Sequence, residues 1–235
     1  MKLFAVASTL VLLAVDAANA GTFTPPKGCT AFLTTQMRSC RVEHYWTCKG
    51  DAPGMRWIMV IGTEGPTYLQ QVDNEFQWVQ SESLRSGTKR RLNKGAPDPN
   101  SFTELLETNR DTYDFSQTVY PNGRPQYQVT VTGIDRLNGK QVSIDGEPLL
   151  VTEFSSHLRT SGGYESTTQG NQFISPKWRL FFGGQETETV DGKSQSYDDT
   201  PVLFIEPGEA GFLSDQPEYG CEAMMSGDLP DGNNG

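Results

Sequence analysis

Five glycine-bearing turns cut the second half of the chain into short extended pieces, and this punctuation constrains the fold more than any other feature. They are Asn122-Gly123, Asn138-Gly139, Asp145-Gly146, Gly162-Gly163 and Asp191-Gly192. Asn-Gly and Asp-Gly accept the positive φ angles that two-residue hairpins require. Between the turns, side chains alternate with the period of a strand. Tyr127, Val129 and Val131 point one way and Gln128, Thr130 and Thr132 the other; Trp178, Leu180 and Phe182 oppose Lys177 and Arg179. Val202 to Ile205 is a short apolar run suited to a strand covered on both sides. Further strands are predicted over 41–49, 55–61, 67–72, 76–81, 112–119, 149–158 and 164–174. The fold class is therefore mainly β: an antiparallel meander forming a curved sheet, barrel or sandwich with one short α-helix.

That helix is announced by Asp98-Pro99-Asn100. Ser101 and Glu104 make a capping box, and Phe102, Leu105 and Leu106 form a one-sided apolar stripe. The stripe predicts a plug at one end of the sheet, with a lid over a ligand cavity as the alternative. Strands wrapping one short helix resemble the periplasmic lipoprotein-carrier half-barrels in architecture alone, without a shared motif.

Cysteine spacing adds a constraint. Cys29, Cys40, Cys48 and Cys221 are even in number and predict two disulfides. Residues 40–48 contain no Gly, Pro or Asn, so as one strand their ends lie roughly 26 Å apart. A disulfide needs Cα atoms within about 7 Å. Cys40 and Cys48 therefore do not pair with each other, and one of them reaches Cys221.

At the amino terminus, Lys2 precedes an apolar stretch from Leu3 to Val15, and Ala18-Asn19-Ala20 follows. This reads as a signal peptide over 1–20, too short to span a bilayer. A single β-rich domain is expected over 21–225 and a disordered acidic tail over 226–235. No later run has membrane length. No Asn begins an N-glycosylation acceptor, which tilts the expected location to the periplasm over the extracellular space. The formal net charge of -10 repels phosphate backbones and argues against nucleic acid as a partner.

Chemistry is sparse. No nucleophile elbow, P-loop, zinc motif or EF-hand loop occurs, and no cofactor or metal is expected. Only His44 and His157 offer imidazole. His44 shares strand parity with Cys40, Val42, Trp46 and Cys48, as a core histidine bonded to a backbone carbonyl would; His157 falls opposite Phe154 and Leu158, toward solvent. Carboxylates recur at Glu186, Glu188, Asp198, Asp199, Glu206 and Glu209, as on a solvated surface. Two features suggest binding. Trp46, Trp57 and Trp178 on predicted strands are candidates for an apolar ligand site. Lys89, Arg90, Arg91 and Lys94 form the one basic cluster, read either as a dock for an anionic partner or as a solvated strand edge. The function expected is a non-catalytic binding protein of the bacterial envelope, holding an apolar ligand or a protein partner. The alternatives are a secreted hydrolase using carboxylates or a histidine, and a structural or assembly protein.

Overall fold

The computed structural model describes residues 21–222. The signal peptide expected over 1–20 and the tail over 226–235 lie outside the described residues. The first half contains β1 (Cys29–Met37), β2 (Arg41–Cys48), β3 (Arg56–Gly62), β4 (Gly65–Val72), β5 (Trp78–Ser83), β6 (Lys89–Leu92), α1 (Phe102–Thr108) and β7 (Arg110–Tyr120). The second half contains β8 (Tyr127–Ile144), β9 (Glu147–Thr160), β10 (Glu165–Ser175), β11 (Leu180–Phe182), β12 (Gln185–Val190), β13 (Lys193–Asp198) and β14 (Pro201–Ile205).

All 14 strands belong to one antiparallel sheet, ordered 13-12-10-9-8-7-6-5-4-3-2-1-14, with β11 paired to β10. The edge strands β13 and β14 are consecutive in sequence, so the chain steps from one edge to the other through Asp199 and Thr200 alone. No ladder joins them among the described residues. The sheet is curved and not closed. Arg38 N donates to Thr200 O at 3.0 Å, extending the β1–β14 pairing by one position, and Phe204 N of β14 donates to Asp145 Oδ2 of the β8–β9 turn at 2.9 Å.

Turn chemistry explains most of the meander. Asp145-Gly146 and Asp191-Gly192 have φ of 50° and 79°, and of 50° and 74°, and close the β8–β9 and β12–β13 hairpins. Asn138-Gly139 departs from the expectation. It lies inside β8 as a bulge, with Leu137 opposite Thr152 before it and Gln141 opposite Leu150 after it. Lys140 N donates to Asn138 Oδ1 at 3.0 Å, so the asparagine is satisfied locally while β9 continues the pairing on both sides. The step from β11 to β12 along β10 requires Gly184, because a Cβ there would strike Asn171 O.

Curvature folds the inner face onto itself. Leu33, Tyr45, Ile58 and Val72 of β1–β4 meet Leu149, Leu180, Phe182 and Phe204 in one core. A second cluster joins Tyr113 and Phe115 to Val129 and Val131. The helix fills the end between them. Ser101 Oγ accepts from Glu104 N at 3.1 Å, and Phe102 and Leu105 bury against Ile174 and Phe181. The plug expected from the sequence is the arrangement observed. Val202 to Ile205 differs from expectation: β14 is an edge strand with one paired neighbour, and only part of the run is buried.

The disulfides are Cys29–Cys48, between register partners of β1 and β2, and Cys40–Cys221, with Cα atoms 4.6 Å apart. The second holds the C-terminal segment over the outer face of β1. There Thr34 Oγ1 accepts from Leu213 N and Gln36 Oε1 from Glu218 N, each at 3.0 Å. Two such bonds indicate an oxidising compartment. No described helix is long and apolar enough to cross a membrane.

Candidate functional site

Strand register creates a row across the outer face. Trp46 stands opposite Trp57, Trp57 opposite Gln71, Gln71 opposite Gln80, and Gln80 opposite Arg91. In the next row but one, two residues away on each strand, Leu69 pairs with Glu82 and Glu82 with Lys89. Alternation places these side chains on one side of the sheet, and between them runs a groove of about 160 Å³ lined by Trp57, Leu69, Gln80, Glu82, Lys89, Arg90 and Arg91. Its floor is ordered, since Gln80 Nε2 donates to Gln71 Oε1 at 2.9 Å. Trp57 is oriented from outside, donating Nε1–H to Asp51 Oδ2 at 2.8 Å. Lys89 pairs with Glu82 at 3.2 Å, and the Arg91 guanidinium lies 5.6 Å from the Tyr120 ring centre. Alternation turns Arg90, opposite Ser81 and Val119, to the other face, so Lys89 and Arg91 against Glu82 leave the groove positive on an acidic protein.

This geometry joins residues that the sequence offered as two separate features, and it divides each set. Trp57 reaches the groove. Trp46 stacks on Trp57 with centres 6.4 Å apart, but is buried beneath Phe23. Trp178 is elsewhere, against Phe182 and Phe204 with Lys177 Nζ 4.3 Å above it. The three indoles line no common cavity. Lys89, Arg90 and Arg91 line the groove; Lys94 is exposed in the loop beyond. The strand carrying them is not the sheet edge that the basic run suggested. β6 is paired on both sides, to β5 and β7; alternation turns Lys89 and Arg91 outward to solvent and Arg90 to the other face.

The histidines are not assembled for catalysis. His44 is fully buried, its Nδ1 lies 2.9 Å from Thr34 Oγ1, and Phe23 stacks on it at 4.7 Å. Its partner is a hydroxyl where a backbone carbonyl was expected. Burial drives its pKa down to about 4. His157 is partly exposed, 3.5 Å from Glu165. Among the described residues, His44 has a hydroxyl but no carboxylate in hydrogen-bond reach, and His157 has Glu165 but no bonded hydroxyl.

Two further acidic places were not legible beforehand. A cleft of about 720 Å³ opens over β9, β10, β12 and β13, lined by Glu153, Gln169, Gln185, Glu186, Tyr197 and Asp198 among others. Near it, Arg41 pairs with Asp199, joining β2 to the β13–β14 connection, and Tyr45 donates its hydroxyl to Glu43. Burial pushes the Glu43 and Glu186 carboxyls up. The other place is the buried pair Asp111 and Asp135 beneath α1. Among the described residues no group of three or more His, Cys, Asp or Glu side chains is arranged to hold a metal.

Comparison with known proteins finds no matching family model, curated protein or solved structure. The functional reading therefore rests on the geometry of the groove.

Proposed function

We propose that this is an exported, non-catalytic binding protein of the bacterial envelope, working in the periplasm, and that the Trp57–Arg91 groove docks an acidic protein partner. The observation that carries the reading is the convergence of Trp57, Lys89 and Arg91 at one depression on a protein of net charge -10. Small-molecule sites occupy about 300–1,000 Å³. A groove of about 160 Å³ suits a single inserted side chain better than a whole ligand. Indole and guanidinium are the groups most enriched at binding hot spots, and a carboxylate beside an apolar anchor would meet both.

Affinity purification from native envelope extract tests the proposal. Wild type is expected to retain one identified protein that the K89E/R91E and W57A variants lose, and that elutes with added salt. Equal retention of that protein by all three would remove the groove from the reading.

A second reading, favoured by the volume of the cleft over β9–β13, is a small polar or cationic ligand held there by Glu153, Gln185 and Asp198. Native mass spectrometry of protein purified from its source distinguishes the two. A bound small molecule displaced in E153Q/D198N supports the cleft, and the bare chain mass supports the groove.

A further inference from the structure

Asp111 of β7 and Asp135 of β8 are register partners, only 2% and 5% exposed, and neither forms an ion pair among the described residues. Asp111 Oδ2 accepts from Ser101 N, at the start of α1, at 3.0 Å. Asp111 Oδ1 is buried without a hydrogen-bond partner. Side chains of directly opposed residues stand about 5 Å apart at Cβ on one face of the sheet, within reach of an O–H···O bond. A buried acceptor left unpaired is costly, and two adjacent buried carboxylates resist carrying two charges.

We propose that Asp111 and Asp135 share one proton, Asp135 donating its O–H to Asp111 Oδ1, and that this proton latches α1 onto the end of the sheet. The groups around the pair reinforce it. Burial raises Asp111 most and the Ser101 N–H bond opposes it, but Glu104 of α1, Asp98 in the loop before it and Glu75 in the β4–β5 loop are all acidic, and each pushes Asp111 up. Tyr113 is the other titratable neighbour, and its hydroxyl stays protonated because burial, with Asp135 and Asp111 beside it, raises it. Arg179, the cation on this end, is engaged by Glu75 at 3.0 Å. Burial, with the Asp111 charge second, takes Asp135 to about 7, and burial takes Asp111 to about 6, so the pair holds the single shared proton between these steps and gains a second below them.

The sign follows directly. The folded chain keeps a proton that an unfolded aspartate releases near pH 4, so the contribution is full below about pH 4 and falls until about pH 7. Above that, two neighbouring anions lie under the first turn of α1 and the latch loosens.

Thermal unfolding of the full chain and of D135N, from about pH 5 to about pH 8, tests this. Asparagine keeps an N–H facing Asp111 Oδ1 but does not titrate. The wild-type midpoint is expected to fall across this range by about 5 °C more than that of D135N, and α1 amides to exchange faster at the alkaline end after correction for intrinsic rates. Parallel pH profiles would overturn the proposal. Carbon-13 carboxyl shifts of the wild type decide independently if D135N does not fold: a titration near neutrality supports the shared proton, and two midpoints below about pH 5 reject it.

Discussion

Cys40 and Cys221 are bonded across a sequence separation of 181, which fixes the last described segment against the turn between β1 and β2. The link and the hydrogen bonds beside it hold this segment over the outer face of β1, the strand next to the edge strand β14. Cys40 N donates to Tyr219 O, and Gln36 Nε2 to Gln216 O, each at 3.0 Å.

Replacing Cys40 and Cys221 together by serine is expected to cost about 2–5 kcal/mol of stability. The Cys29–Cys48 pair, with a separation of 19, closes a far shorter loop between strands already paired, and its loss is expected to cost less. Urea titration of the two double variants measures the difference. Equal losses would show that the long link adds nothing beyond the short one.

His44 is a stability group. Its folded pKa, about 4, lies below the ordinary value of 6.5 because of burial, so the unfolded chain takes up a proton that the folded chain refuses. The resulting stability is present above about pH 6.5 and is lost as pH falls toward about 4, for a total of about 3 kcal/mol. His44→Gln is expected to remove this part of the pH profile. The measurement is denaturant unfolding of both chains at about pH 7 and about pH 4.5. The comparison must be between chains, since Asp135 tilts the same range in the opposite direction.

Gly133 lies under the Tyr113 ring, and a Cβ there would strike the phenol. Gly133→Ala is expected to cost about 1–3 kcal/mol by overpacking. Gly133→Ala combined with Tyr113→Phe is expected to recover little of it, because ring carbons as well as the hydroxyl occupy the space. Thermal unfolding of the single and double variants checks both statements.

The helix plug divides its stability unequally. Ser101→Ala removes the cap on Glu104 N and is expected to cost about 1 kcal/mol. Phe102→Ala empties the contact with Phe181, 5.4 Å between ring centres, and is expected to cost about 3–5 kcal/mol. The ordering of the two in urea unfolding is the test.

Where the sequence carried strong local chemistry, the fold could be read from it. The Asp-Gly turns, the Ser101 cap and the alternation of Val129 and Val131 each act over a few residues, and each appears as expected. Strands β12 and β13 carry Glu, Thr, Ser and Gln with hardly any apolar alternation, so only the Asp191-Gly192 turn between them was legible. Asn138-Gly139 misled because a bulge and a hairpin demand the same residue, and only pairing with β9 decides between them. The groove was half visible: its cations and its indole could each be named, but their meeting depends on register across β3, β4, β5 and β6, which no local pattern encodes. The Asp111–Asp135 pair was invisible for the same reason.

The central claim is that the outer-face groove receives a partner. Gln80 lies between Trp57 and Arg91 in the cross-strand row, so a photo-crosslinking amino acid placed there reports directly on what occupies it. In intact cells, this variant is expected to give one discrete adduct with another envelope protein, lost when Lys89 and Arg91 are also reversed to Glu. Absence of any adduct, or one that persists unchanged after the reversal, would contradict the account.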